Sequence, residues 1–212
     1  MRILFYGDSI TDALRRRDAD YRLDSYGVGY VRDIVGELLL ENPEKYDLIN
    51  RGIGGDRIVD LYARIKRDVW NLQPDVLSIL VGINDIWHEV DRQNGVDLAR
   101  WESMYRLLLK ETLERLPNVK IVICEPFVLE GEATCGEGRF EQFLEVKEYA
   151  KVAKKLAEEF GLPFLPLQNR LDEEAAKHGA AHYLYDGVHP SVAGARLIAN
   201  EWLKLFKAEI DK

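Results

Sequence analysis

The chain has 212 residues, 47% of them hydrophobic and 31% charged, with a formal net charge of −8. That is enough apolar material for one well-buried core, and the acidic balance argues against a nucleic-acid partner, whose phosphates call for a basic surface. No run approaches the roughly 18 apolar residues of a membrane span, and the apolar stretch after Met1 is too short for a signal-peptide core. The expectation is a cytoplasmic protein without a membrane partner.

Ile3–Tyr6 reads as a first strand running into the turn residue Gly7. The cluster Arg15-Arg16-Arg17, flanked by Asp12, Asp18 and Asp20, reads as a solvated loop. A first helix starts near Tyr30, and Asp47–Ile49 reads as a second strand. Ile58, Leu61, Tyr62, Ile65, Val69 and Leu72 recur at helical spacing. Val76–Val81 is almost continuously apolar, the pattern of a strand covered on both faces. Leu98, Trp101, Tyr105, Leu108, Leu109, Thr112, Leu113 and Leu116 predict a long helix, followed by a strand over Val119–Cys124. Phe140, Phe143 and Leu144 begin a stripe that Tyr149, Val152, Ala153, Leu156 and Phe160 continue. It ends at Gly161 with Pro163 just beyond. A short strand at Phe164–Leu165 precedes a last helix capped by Ser191.

This alternation of strands and helices predicts one α/β domain over 1–212 with a parallel sheet, because parallel neighbours need helical crossovers. Ligands of such sheets bind beyond the carboxyl ends of the strands. The longest irregular segments, 12–26 and 126–139, both follow strands and are placed to rim a site. Residues Phe127 to Gly138 read either as a subunit contact or as a mobile rim.

Four short stretches hold the chemistry: Gly7-Asp8-Ser9-Ile10-Thr11, Asn50-Arg51-Gly52-Ile53-Gly54-Gly55-Asp56, Gly82-Ile83-Asn84-Asp85 and Asp186-Gly187-Val188-His189-Pro190. A serine hydroxyl becomes a nucleophile when a base takes its proton, and a neutral imidazole is the usual base. A carboxylate then fixes the imidazole's tautomer, and the resulting oxyanion needs aimed N–H donors. Ser9, His189 and Asp186 can fill the first three roles. The backbone N–H groups of Ser9 and Gly55 and the amide of Asn84 can supply the donors. Gly55 suits a close approach to substrate because it has no Cβ.

Each stretch also has a plainer reading. Ser25, Ser78, Ser103 and Ser191 are caps, turns or strand residues. Asn50–Gly55 resembles a phosphate cradle only superficially, since neither GKS/GKT nor GxGxxG spacing is present. Asn84-Asp85 alone is a turn signal. His178 and His182 stand four apart, but Gly179 interrupts them and no further ligands are near, so no metal is expected. Cys124 and Cys135 show no metal-binding spacing and read as free thiols.

Together, in this order, the four stretches resemble the blocks of the SGNH hydrolases, the GDSL-type esterases and lipases. The resemblance implies a three-layer α/β/α fold with five parallel strands, of flavodoxin-like type, and no cofactor. It implies Ser9 as nucleophile, His189 as base, Asp186 as its partner, and Ser9, Gly55 and Asn84 as the oxyanion hole. Gly27–Val31, Asn50–Ile53, Gly82–Trp87, Pro126-Phe127 with Glu130-Gly131, and His189–Gly194 are similar to the acetyl-xylooligosaccharide (acetylxylan) esterase branch. Gly54 stands where relatives often have Ser. The resemblance implies a serine esterase releasing acetyl groups from small esters such as acetylated xylo-oligosaccharides. Trp87 and Tyr30 are candidates for substrate contact. A broad carboxylesterase or thioesterase, and a non-catalytic carbohydrate-binding protein, are the alternatives; a homo-oligomer stays open.

Overall fold

The computed structural model describes residues 1–18 and 20–211; Ala19, inside the segment 12–26, and Lys212 lie outside the described residues. Five strands form one sheet: β1 (Arg2–Gly7), β2 (Asp47–Asn50), β3 (Val76–Leu80), β4 (Lys120–Cys124) and β5 (Phe164–Leu165). Their order is β2-β1-β3-β4-β5, and every pairing is parallel. All residues of β3 are buried, and so are Ile3 to Tyr6 of β1. Burial on both faces is why these strands read as continuous apolar runs rather than as alternation.

The helices are α1 (Ser9–Asp12), α2 (Tyr30–Glu41), α3 (Ile58–Asp68), α4 (Ile83–Arg92), α5 (Leu98–Arg115), α6 (Arg139–Phe143), α7 (Val146–Phe160), α8 (Gln168–His178), α9 (Ala180–Tyr183) and α10 (Val192–Leu205). Helix α2 packs on α10, whereas α3 packs on α5 and α5 on α7. The chain steps from β1 outward to β2, then recrosses to β3 and continues to β4 and β5. Right-handed crossovers therefore put α2 on one face and α3, α5 and α7 on the other. The loops leaving β1 and β3 part company at the carboxyl edge, which opens the crevice where such folds bind ligands.

Several expectations change. The stripe from Phe140 to Phe160 is two helices, because the junction is closed by tighter bonds from Glu145 N–H to the Gln142 carbonyl and from Lys147 N–H to the Leu144 carbonyl. Phe143 and Val146, on either side of it, are both fully buried, so the apolar period runs through the break unmarked. Asn84 and Asp85 are not in a turn but in the first turn of α4. Helix α8 buries only Gln168 and Leu171, too few for a periodic signal. The segment after β4 divides: Phe127, Val128, Leu129 and Thr134 are buried within the chain, whereas Glu130, Glu132 and Cys135 to Gly138 are exposed. Arg15 is not solvated. It is buried, its Nε donates to the Gly52 carbonyl at 2.8 Å, and burial lowers its pKa to about 10.

At the sheet's centre the Trp202 indole of α10 donates to the hydroxyl of Ser78 at 3.0 Å, with both residues fully buried. Ser78→Ala leaves that N–H without its acceptor. The expected cost is about 1–3 kcal/mol, read as a lower urea midpoint at unchanged m-value.

Candidate active site

Strand β1 ends at Gly7, and the chain turns at once into α1. The Asp8 carboxylate accepts the Ile10 N–H at 2.9 Å and caps that single turn, so Ser9 sits at its head. Asp8 itself is buried, and burial pushes its carboxyl up to about 7. Ser9 Oγ lies 2.8 Å from His189 Nε2, across 180 positions of sequence. On the other side of the ring, Nδ1 lies 2.6 Å from Asp186 Oδ2. An ionised carboxylate only accepts, so Nδ1 carries the proton and Nε2 is the acceptor facing the serine hydroxyl.

The pair is held by its own turn. Asp186 Oδ1 accepts the backbone N–H groups of Val188 at 2.9 Å and His189 at 2.7 Å. Burial alone would raise the Asp186 pKa; hydrogen bonds from the His189 ring and from these backbone groups outweigh it, and the net shift is downward. The Asp186 carboxylate in turn raises the imidazole above its ordinary value against the opposing effect of burial. The segment after β4 braces the turn from outside: Leu129 N–H donates to the Gly187 carbonyl and Ala133 N–H to the Asp186 carbonyl, both at 2.9 Å.

The loop after β2 is tied to the serine turn. Asn50 donates to the Thr11 carbonyl at 2.7 Å and accepts from Gly52 N–H at 2.8 Å. A side chain on Gly52 would bring its Cβ within 2.2 Å of the Asp12 nitrogen, so only glycine permits this approach. Asp12 accepts the Gly54 N–H at 3.1 Å. Residues Ile53 to Asp56 make a β-turn closed from Asp56 N–H to the Ile53 carbonyl at 3.3 Å. Gly55 stands at its third position with φ +86°, the geometry of a type II turn. Space is not what selects glycine here, since a Cβ would meet nothing nearer than 4.0 Å; the positive φ is. From the start of α4, Asn84 donates one amide hydrogen to the Asp56 carbonyl at 3.2 Å. The amide has a second hydrogen to offer.

A cleft of about 320 Å³ opens beside Ser9 and His189, walled by Ala13, Leu14, Val28, Gly54, Tyr185 and Pro190. The Tyr185 ring stacks on the imidazole at 5.8 Å, and Trp87 lies at 5.8 Å from it as well, tilted and packed edge-on against Phe143. Trp87 thus flanks the base. Tyr30 does not reach the cleft: it is buried beneath β1, and its hydroxyl is 3.0 Å from that of Thr11. The expectation of substrate contact at Tyr30 fails, because a helix start facing the sheet buries its first aromatic. Tyr185 went unnoticed in sequence, although an aromatic directly before Asp186 was the available sign. No group of three or more His, Cys, Asp or Glu that could hold a metal occurs among the described residues.

A serine hydroxyl, an imidazole and a carboxylate in line can carry acyl transfer. Comparison with known proteins agrees. The model of the GDSL-like lipase/acylhydrolase family matches residues 5–197. The acetylxylan esterase of Geobacillus stearothermophilus is 36% identical over 96% of this chain and 92% of its own. A GDSL-like lipase from Parabacteroides merdae superposes with a TM-score of 0.90 at 38% identity, covering 98% of this chain and 96% of that one. A catalytic mutant of the Geobacillus enzyme superposes with a TM-score of 0.86 at 34% identity, over 96% and 93% of the two chains. The chain belongs to the GDSL-like lipase/acylhydrolase family and is a carboxylic ester hydrolase.

Proposed function

We propose that this protein is a serine acetylesterase acting on acetylated sugars, with acetylated xylo-oligosaccharides as the preferred class. The observation that carries the catalytic reading is the unbroken line from Ser9 Oγ through the His189 ring to the Asp186 carboxylate, with contacts of 2.8 and 2.6 Å. In this reading Ser9 attacks the ester carbonyl while His189 Nε2 takes its proton. The carbonyl oxygen becomes an oxyanion held by the backbone N–H groups of Ser9 and Gly55 and by Asn84. Collapse expels the sugar hydroxyl, which leaves with the proton from His189. Water then attacks the acetyl-enzyme, His189 again taking and returning a proton, and acetate departs. Trp87, against the imidazole, borders the reacting ester.

The substrate class rests on the relatives. Geobacillus stearothermophilus structures that resemble this chain are described as an acetylxylan esterase and as an acetyl-xylooligosaccharide esterase. Its catalytic mutants there replace an aspartate, a serine or a histidine, the three residue types lined up here. The cleft, at about 320 Å³, is at the small end of ligand sites. A second reading, a broader carboxylesterase or thioesterase, draws on Leu14 and Val28, which are 88% and 64% exposed at the mouth and would suit a longer acyl chain. Rates on p-nitrophenyl acetate, butyrate and octanoate, an acyl-CoA and acetylated xylobiose separate the two. The first reading expects the acetyl esters to lead; a maximum at octanoate overturns it.

Ser9→Ala is expected to remove about 10⁶ of kcat while the circular dichroism spectrum stays unchanged. Asn84→Ala is expected to lower kcat by about 10²–10³, and an unaltered kcat takes its amide out of the mechanism. The pH profile follows from the imidazole. His189 must be neutral to act as base, and Asp186 raises its pKa above the ordinary 6.5. The acid limb of kcat/KM is therefore expected to inflect above 6.5, with activity lost below it. Asp186→Asn removes the carboxylate and shifts that inflection downward, with a fall in kcat of roughly 10³–10⁴.

A further inference from the structure

We infer that Arg64, together with Asp56, is a positioning pair that sets the three oxyanion donors relative to one another. The inference rests on the esterase reading above. Arg64 lies on α3, outside the apolar stripe of that helix. Its side chain is only 10% exposed. The guanidinium donates from Nε to Asp56 Oδ2 at 2.6 Å, from Nη1 to the Arg51 carbonyl at 2.8 Å and to Asp68 at 2.9 Å, and from Nη2 to the Gly7 carbonyl at 3.1 Å. It also lies 4.3 Å from the centre of the Tyr6 ring, on the strand that leads to Ser9.

Two of these contacts, to Gly7 and to Asp56, lead to the donors. Gly7 is two residues before Ser9, and its carbonyl accepts both from Arg64 and from Ile53 N–H at 3.0 Å. That carbonyl therefore joins the end of β1 to the first residue of the Gly55 turn. Asp56 is the last residue of the same turn. Its carboxylate accepts from Arg64 Nε, and its backbone carbonyl accepts from the Asn84 amide at 3.2 Å. The Gly55 N–H belongs to the central peptide of this turn, the peptide whose orientation distinguishes type II from type I. Ser9, Gly55 and Asn84 come from three different stretches of chain, and a single partly buried ion pair touches the supports of all three. A planar fork can satisfy such divergent acceptors at fixed angles, which an ammonium cannot.

Hydrolysis of p-nitrophenyl acetate by the full chain tests this. Arg64→Lys keeps the charge and loses the fork. Asp56→Asn keeps size and the backbone carbonyl that Asn84 uses, and loses the ion pair. Both are expected to lower kcat per folded molecule by about 10–100-fold, as for a small misplacement of oxyanion donors. KM is expected to stay within about threefold, and the acid inflection of kcat/KM, which His189 and Asp186 govern, is expected not to move. In an Asn84→Ala background the Arg64→Lys effect is expected to shrink, because the two act on one array. An unchanged kcat in either folded variant, a displaced acid inflection, or full additivity with Asn84→Ala overturns the inference. If Arg64→Lys does not fold, Asp56→Asn decides by the same readouts. An active wild type whose Ser9→Ala variant is dead, combined with any of those overturning results, rejects the positioning pair alone; an inactive wild type rejects the esterase reading and the pair with it.

Discussion

Parallel pairing of β1 with β2 on one side and β3 on the other is the constraint from which the site follows. It brings three carboxyl ends together, so the loops leaving Gly7, Asn50 and Leu80 emerge side by side. The reversal of winding between β1 and β3 opens a crevice at this edge. Ser9 is delivered by the first of these loops, the Gly55 turn by the second and Asn84 by the third. The last turn, with Asp186 and His189, then closes over the same edge, supported by the segment after β4.

Polar bonds as well as apolar packing hold this edge, where Ile10, Ile83 and Val188 are buried. Buried or half-buried polar side chains bond one loop's backbone to the next: Asn50 to Thr11, Asp12 to Gly54, Arg15 to Gly52, Arg64 to Gly7 and Arg51. Burying such charges is costly unless each is paired and its remaining hydrogens are placed. The return is directional. Apolar contacts resist separation but tolerate sliding, whereas a guanidinium or amide with several fixed acceptors defines angles as well. An array of N–H donors needs angles. The imidazole is treated similarly, with two aromatic neighbours about it and a carboxylate anchored by two backbone N–H groups.

Much of the fold was legible because two-sided burial writes itself as continuous apolar runs in β1, β3 and β4, and one-sided burial as the stripes of α3, α5 and α7. Less was legible where burial is slight or where a helix starts on polar residues. Helix α8 has too few buried residues to leave a period, and α4 opens with Asn84 and Asp85, which locally favour a turn until Gly82 directs the chain inward. The site stretches stood out because acyl transfer needs particular residue types. Tyr30 was misjudged and Tyr185 missed for one reason: an aromatic's neighbours decide whether it is core or wall, and they lie far away in sequence.

The amino-acid sequence by itself determined the residue types available for the chemistry, the order of strands and helices along the chain, and the presence of one sizeable core. It determined too that a positive φ at residue 55 would be tolerated, since that position is glycine. Tertiary structure alone decided that residues 9 and 189 are neighbours, that Arg15 is buried rather than solvated, and that Phe127, Val128 and Thr134 of the segment after β4 face inward. The physical reason is that periodicity records which side of an element is covered, a local property. Which distant backbone carbonyl a guanidinium meets depends on how the strands are ordered in the sheet, and no local pattern encodes that.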